Sequence, residues 1–583
     1  MATYADKPWL QHYDEGVPAS LKPYPDYPLH QFLQEGARDY PDRPLLISSA
    51  RLPLLGRVAS NMSYREVEAL SDAMAVALVN MGLKKGDRVA IVMPNCAQFV
   101  IAFYAILKAG GVIAATNPTY PADKMEHQIN DCGAEFIFVL SMFYNTILEI
   151  QPKTKLKHII VTNIKEYLPA AARTLFTLAK EKKGGHRIEK RPQDHNFQDL
   201  LARYLGQKPT VKVTGDDLCF FQYTGGTTGV SKAAVATHRA LVANTLMCKA
   251  WQFGTRPSEH RVFLGAIPFF HAFGLVVVVS GAATIGSTVA IVPNAREINE
   301  VLDVITSFKV NVFPGVPALY NAINNHPDVK AGKYDLSSLQ ICFSGSAPLA
   351  PSTKAEFERL SGAKLVEGYG MSEAPTASHG NPLNGQNRVG SIGIPFPDME
   401  MKIVAVDDGE KLLPVGEVGE LAMHGPMLMQ GYHGMPTETA NTLRPDKDGK
   451  HWLYTGDIVR MDEDGYFYIV DRKKDMALIG GFNVYPRNIE DALMEHPAIL
   501  EVGVAAIPHP EKEGQEALKA WVVFKPGQSA TEAELTDFCK KKLAPYEVPT
   551  RYAIVEALPR TAIGKILRRE LAAMEMSARE KQA

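Results

Sequence analysis

The chain has 583 residues, 46% hydrophobic and 22% charged, with a formal net charge of −2. That length exceeds what one hydrophobic core serves, and the near-neutral balance argues against a nucleic-acid binder, which carries a clear basic excess. Six scattered cysteines (Cys96, Cys132, Cys219, Cys248, Cys342, Cys539) lack Cys-x-x-Cys spacing. This excludes a zinc ribbon or disulfide framework and leads us to expect a reducing, cytoplasmic setting. Residues 1–13 carry charge and proline but no apolar h-region, so no secretory signal is expected.

Asp87 to Met93 reads as a buried strand, Pro94 to Gly110 as a helix ending in a glycine pair, and Val112 to Thr116 as the next strand. Phe136 to Leu140, His158 to Thr162, Thr288 to Val292 and Val310 to Val316 continue the series. Continuous apolar strands spaced by helices predict parallel sheets covered on both faces. Phe143 to Arg203 reads as a less regular, basic insertion, with Lys180, Lys182, Lys183, Arg187, Lys190 and Arg191 following Leu175-Phe176. A solvated loop is the favoured reading there, and contact with an anionic membrane surface the alternative. Leu275 to Val292 carries no charge but is broken by Ser280, Gly281, Gly286, Ser287 and Thr288. It predicts a buried helix turning into a buried strand rather than a membrane span.

After about residue 400 the pattern changes. Glu400 to Val406, Glu417 to His424 and Tyr466 to Asp471 read as short strands between turns, followed by the charge run Asp471-Arg472-Lys473-Lys474-Asp475. Beyond it, Asn488 to Glu495 and Ala530 to Leu543 read as helices, and Val502 to Ala506 and Leu518 to Phe524 as strands. The expected fold class is α/β. A large N-terminal domain (1–473) of stacked, mostly parallel sheets would carry a small β-subdomain, and a small mobile α+β domain (474–583) would join it at a hinge near Lys474.

Chemistry concentrates in five motifs. Tyr223-Thr224-Gly225-Gly226-Thr227-Thr228-Gly229-Val230-Ser231-Lys232 packs glycines and threonines behind an apolar segment, a composition suited to anionic oxygens. Its spacing is not that of a Walker A loop, because Val230 and Ser231 separate Gly229 from the lysine. Glu367-Gly368-Tyr369-Gly370-Met371-Ser372-Glu373 offers an aromatic between glycines for stacking on a base and a carboxylate fit for Mg2+. Trp452-Leu453-Tyr454-Thr455-Gly456-Asp457 offers Asp457 as an acceptor for two ribose hydroxyls, in what alone would be a common turn. Asp471-Arg472 suits phosphate or ribose oxygens, or equally a structural ion pair. Pro559 to Lys565 places a lysine behind Gly564.

In this order the five motifs closely resemble the adenylate-forming superfamily of acyl-CoA synthetases, luciferases and peptide-synthetase adenylation domains, over about Tyr27 to Leu571. The segments Gly481-Phe482-Asn483-Val484-Tyr485-Pro486 and Gly564-Lys565-Ile566-Leu567-Arg568-Arg569-Glu570-Leu571 are especially similar to bacterial long-chain-fatty-acid–CoA ligases. The resemblance implies that Thr224, Gly225, Gly226, Thr227, Thr228, Gly229 and Lys232 hold the β- and γ-phosphates. It implies that Gly345, Ser346 and Ala347 line the adenine with Tyr369 stacked on it, within the motif that also brings Glu367, Gly368, Gly370 and Ser372 to the nucleotide. Glu373 and Thr224 would bind Mg2+, Asp457 and Arg472 the ribose, and Lys565 would bridge the acyl carboxylate and the α-phosphate. His271, in Pro268-Phe269-Phe270-His271, matches the motif at the acyl–adenylate junction. Rotation about Lys474 would withdraw Lys565 and bring Gly480-Gly481 to the channel for the coenzyme A thiol. Ala233, Ser372 and Gly480 depart from the usual glycine, threonine and serine without removing a required charge.

The implied activity turns a fatty acid, ATP and coenzyme A into acyl-CoA, AMP and pyrophosphate. Phe270 to Gly281 and Val312 to Leu319 are expected to line the acyl pocket; they contain small residues and no charge beyond that of His271, which suits an apolar tail. A medium-chain or aryl-acid ligase is the near alternative, and a non-catalytic acyl- or nucleotide-binding protein the alternative of another class. A homodimer, and a peripheral contact at the inner face of a membrane, stay open as partner readings.

Overall fold

A computed structural model describes residues 3–52, 56–224, 231–254, 259–479, 482–509, 515–560 and 566–580. Gly225, Gly226, Thr227, Thr228, Gly229, Gly480, Gly481 and Lys565 lie outside the described residues.

Two large sheets carry the N-terminal part. One is eight-stranded: six strands, Leu218–Thr224, Val112–Ala115, Arg88–Val92, Phe136–Leu140, His158–Thr162 and His195–Asn196, run parallel. The antiparallel strands Lys232–Thr237 and Gly431–Tyr432 extend one edge. The other is nine-stranded, parallel from Lys364–Met371 through Ile341–Ser344, Val312–Gly315, Val262–Gly265 and Thr288–Ile291 to Pro44–Leu52, with antiparallel strands at both edges. The central strands are buried on both faces, as their uninterrupted Val, Ile and Phe runs require. The helix Ala97–Lys108 is buried at all twelve positions, the signature of a helix inside the core rather than on its surface. Its one charge, Lys108 Nζ, is paired with Asp72 and Glu68 at 2.7 Å each, the condition on which a buried ammonium persists.

Gly274–Ser280 forms a π-helical turn that runs into the helix Gly281–Thr284 and then the strand Thr288–Ile291. The expected helix-then-strand is present, and among the described residues no helix is long and apolar enough to cross a membrane. A five-stranded antiparallel sheet, Glu400–Val404 to Phe467–Arg472, makes the β-subdomain. The small domain packs helices on a three-stranded sheet (Ile499–Pro508, Glu516–Phe524, Arg551–Ile554) beside the hairpin Ala477–Ile479/Phe482–Val484.

Two expectations need correction, and one strand runs further than its glycines suggest. Glu367 to Met371 continues the strand Lys364–Met371, because the antiparallel strand Ala374–Gly380 pairs with it. Gly370 allows that approach, since a Cβ there would lie 1.6 Å from the Thr376 carbonyl oxygen. Thr455-Gly456-Asp457 likewise lies inside the strand His451–Met461, where Gly456 takes φ +70° and the register with Gly419–His424 shifts. The insertion 143–203 is more regular than expected. It supplies two strands of the eight-stranded sheet, and its exposed segment Ala170–Lys180 is helical. All six cysteines are buried and unpaired with one another.

Candidate active site

Every described residue of the predicted set lines one open cleft of about 2640 Å³, at the meeting of the two large sheets, the β-subdomain and the small domain. Gly345-Ser346-Ala347 leave the strand Ile341–Ser344 at one wall, with Ser346 at φ +71°. A non-glycine residue in that left-handed region costs about 1–2 kcal/mol, a cost such backbone bears where a ligand approaches it. Glu367, Gly368, Tyr369, Gly370, Ser372 and Glu373 follow on the neighbouring strand and its turn.

Across the cleft Asp457 and Arg472 face each other as register partners of two antiparallel strands. Arg472 Nε stands 3.2 Å from Asp457 Oδ1, and the Tyr369 hydroxyl donates to Oδ2 at 2.5 Å. Burial, and then the Asp457 carboxylate, push the Tyr369 phenol well above its ordinary value, so it stays a neutral donor. Asp457 in turn holds the Arg472 guanidinium charged. The edge of the His379 ring, fully buried, meets Tyr369 with ring centres 5.5 Å apart; burial lowers its pKa to about 3, so it is a neutral partner. Lys474 lies in the turn after Arg472, also on the cleft wall.

Glu373 Oε1 accepts the Tyr432 hydroxyl at 2.7 Å. The same ring lies under Lys232 Nζ at 5.3 Å, and Lys232 is paired with Glu438. Thr224 ends the strand that leads into the glycine-rich loop, directly opposite Lys232 in the register. Among the described residues no group of three or more His, Cys, Asp or Glu is arranged to hold a metal. An Mg2+ ion shared with a triphosphate needs only one or two protein oxygens, so Glu373 with Thr224 fits that donor chemistry.

His271 sits in a turn built by two buried amides. Asn95 donates to the Gly265 and Ile267 carbonyls at 2.9 and 2.8 Å and accepts the Phe269 N–H at 2.7 Å. Gln222 accepts the Ala272 N–H at 2.6 Å. The Phe273 N–H donates to His271 Nδ1 at 3.2 Å, which makes Nε2 the ring nitrogen that carries a proton. Asn244, fully buried, holds Thr376 and Ala377 opposite Gly370 through three hydrogen bonds of 2.6 to 3.3 Å. Sequence reasoning passed over Asn95, Gln222, Asn244 and Tyr432. A polar side chain inside an apolar run marks the first three, and an aromatic bracketed by glycines (Gly431-Tyr432-His433-Gly434) marks the fourth, the same pattern that singled out Tyr369.

The acyl wall differs from expectation. Phe270 to Phe273, Val277 and Val316 to Ala318 line the cleft, but Val312 to Gly315 is a central strand outside its wall, since its side chains are spent on the sheet's own packing. Cys248, Trp251 and Ala377 contribute instead. On the small domain, Arg560, Ile566 and Leu567, which flank Lys565, line the cleft. Leu478 and Phe482, which flank Gly480-Gly481, are exposed and take no part in the wall.

The AMP-binding enzyme family matches residues 33–433, and the AMP-binding enzyme C-terminal domain matches 488–565. The long-chain-fatty-acid–CoA ligase of Bacillus subtilis (strain 168) is 39% identical over 571 residues, 97% of this chain and 98% of that protein. Among solved structures, the anthranilate CoA ligase AuaEII in complex with anthranoyl-AMP is similar with a TM-score of 0.80 and 27% identity, over 96% of this chain and 99% of that one. ATP-bound MatB from Rhodopseudomonas palustris is similar with a TM-score of 0.79 and 26% identity, over 94% and 99%. With both family domains in order and a relative of this identity over nearly its whole length, the chain belongs to the AMP-binding, adenylate-forming enzyme family.

Proposed function

We propose that the protein activates a long-chain fatty acid with ATP to acyl-AMP and pyrophosphate, then transfers the acyl group to coenzyme A. Family membership across the whole chain makes it an acid–thiol ligase that works through an acyl adenylate. The observation that carries the apolar-acid reading is the composition of the cleft: polar residues around Asp457 and the apolar Phe273, Val277 and Trp251 line the same cavity as His271. The long-chain part of the reading is supported by the similarity to the B. subtilis long-chain-fatty-acid–CoA ligase.

A carboxylate attacking a polyphosphate brings like charges together, so the site must supply positive charge and donors where the α-phosphate becomes crowded with it. In our reading Asp457 and Arg472 hold the ribose, Tyr369 stacks on the adenine, and the Thr224–Lys232 loop retains the pyrophosphate. Glu373 and Thr224 would hold Mg2+, which would supply Lewis-acid neutralisation of the phosphates. His271 Nε2–H serves as a donor at the acyl–phosphate junction. Lys565 would act at the same junction, a role supported by Arg560 and Ile566 of the small domain lining the cleft. Rotation about Lys474 then exchanges that face for Gly480-Gly481.

The substrate class is tested by AMP release with coenzyme A across saturated acids from butyrate to palmitate plus benzoate. Rising kcat/KM towards palmitate is expected; a preference for benzoate would favour the aryl-acid reading, and no AMP from any acid a binding protein. Lys565→Ala should lower acyl-AMP formation by about 10²–10³, the usual loss on removing one preorganised charge. Undiminished ATP–pyrophosphate exchange in that variant would remove Lys565 from the reaction.

A further inference from the structure

The cleft that holds His271 is also lined by the apolar side chains of Phe273, Val277, Cys248 and Ala377. Trp251, on the same helix as Cys248, also stands in this wall, and it is only 3% exposed. Its indole is fixed on several sides. Phe396 stacks on it with ring centres 4.7 Å apart, and the Tyr13 ring meets it edge-on at 5.3 Å. The indole N–H donates to the Asn381 carbonyl at 3.3 Å, and the Tyr13 hydroxyl is itself tied to the Pro395 carbonyl at 2.7 Å. Gly380 lets the ring settle there: a Cβ at that position would lie 2.8 Å from the indole nitrogen and 3.0 Å from the Phe396 ring.

We propose that the Trp251 indole, backed by Phe396 and Tyr13, is the floor of the acyl channel and sets the longest alkanoate tail the enzyme accepts. The inference rests on the fatty-acid reading above. Each methylene that enters apolar surroundings gains about fourfold in binding, close to 0.8 kcal/mol. That gain ends where the next methylene must push a ring already packed on its far side, because overfilling a packed interior is itself unfavourable. Chain length is thus read by the position of one side chain, which a residue beside it can raise or lower.

The test is kcat/KM for AMP formation with coenzyme A, measured from hexanoate to eicosanoate for the wild type, Trp251→Leu, Trp251→Ala and Gly380→Ala. In the Trp251 variants the longest acid used should move upward, with the ratio of long- to short-acid kcat/KM rising about fourfold per methylene newly accommodated. In Gly380→Ala, whose added methyl drives the indole into the channel, the longest acid used should become shorter. ATP-induced thermal shifts on each variant report whether the nucleotide half is folded; should Trp251→Ala lose that shift, Trp251→Leu and Gly380→Ala decide the matter. An unchanged cut-off in folded Trp251→Leu and Gly380→Ala overturns the proposal. A wild type that uses aryl acids and no alkanoate overturns the fatty-acid reading instead, so the two failures are told apart.

Discussion

Asp471 and Arg472 are neighbours on one strand, yet they belong to two different charge clusters, because successive strand residues point to opposite faces. Arg472 lines the cleft, pairs among the described residues with Asp457 at 3.2 Å, and its side chain is 38% exposed. Asp471 is 1% exposed and faces the small domain, where Arg568 binds it at 2.8 Å, Asp475 at 3.0 Å and Glu490 at 2.6 Å. The other Asp471 oxygen accepts the Arg487 N–H at 2.8 Å, at the start of the helix Pro486–Met494, where a negative charge is favoured. The second cluster, whose members also line the cleft, ties the strand Phe467–Arg472 to the helices Pro486–Met494 and Arg568–Glu580. The first is a partly exposed pair in the wall of a cavity, with hydrogen-bonding capacity left on the Arg472 guanidinium. Charged residues in both look alike in the sequence; how far their hydrogen bonds are already met separates them.

Removing Arg568 should have the largest effect. Arg568→Met leaves Asp471, Asp475 and Glu490 without their shared cation, and breaking a buried pair in this way costs about 3–5 kcal/mol. Urea or thermal unfolding should show that loss; an unchanged midpoint would mean that the cluster does not hold the small domain. The proposed hinge at Lys474 gives the next effect. Lys474→Pro fixes φ near roughly −65° and should slow thioester formation by at least about tenfold while sparing ATP–pyrophosphate exchange. Equal loss of both half-reactions would deny the hinge its role.

A third effect, spread over a pH window rather than read at one pH, lies in the cleft wall. Burial pushes the Glu367 carboxyl up to about 7, against the pull of Arg487 and a hydrogen bond from the Leu349 N–H. Because the folded state then holds the proton more tightly than the unfolded chain, Glu367 favours folding below the unfolded value of 4.5, and that contribution is lost as pH rises towards 7. The slope is up to about 1.4 kcal/mol per pH unit. Glu367→Gln should flatten stability across that window, as read from urea midpoints; an identical pH profile would place the titration elsewhere.

Much of the fold was legible for one physical reason. The run Phe136–Leu140 is apolar throughout, and His158–Thr162 is apolar between its ends, because both their faces are covered, and their observed limits match those read from sequence. Where a glycine interrupted a strand the reading failed. Gly368, Gly370 and Gly456 suggest turns locally, but pairing with Ala374–Gly380 and Gly419–His424 overrides that preference. The site's residue types and order could be read because their chemistry repeats a family pattern. Their mutual contacts could not: Lys232 meets Glu438, and Tyr369 meets Asp457, through pairings far apart in the chain that no local spacing encodes.

The burial of all six cysteines has a practical consequence for testing whether the small domain rotates as proposed. Burial raises every one of these thiols, Cys132 to about 11 and Cys96 and Cys248 to about 12. Alkylating dyes react with accessible thiolates, and the folded enzyme offers none of these. A cysteine placed at exposed Leu478, beside the Gly480-Gly481 loop, would therefore stand as a single reactive handle on the natural background. The chain comes ready for site-specific labelling, without the usual stripping of native cysteines.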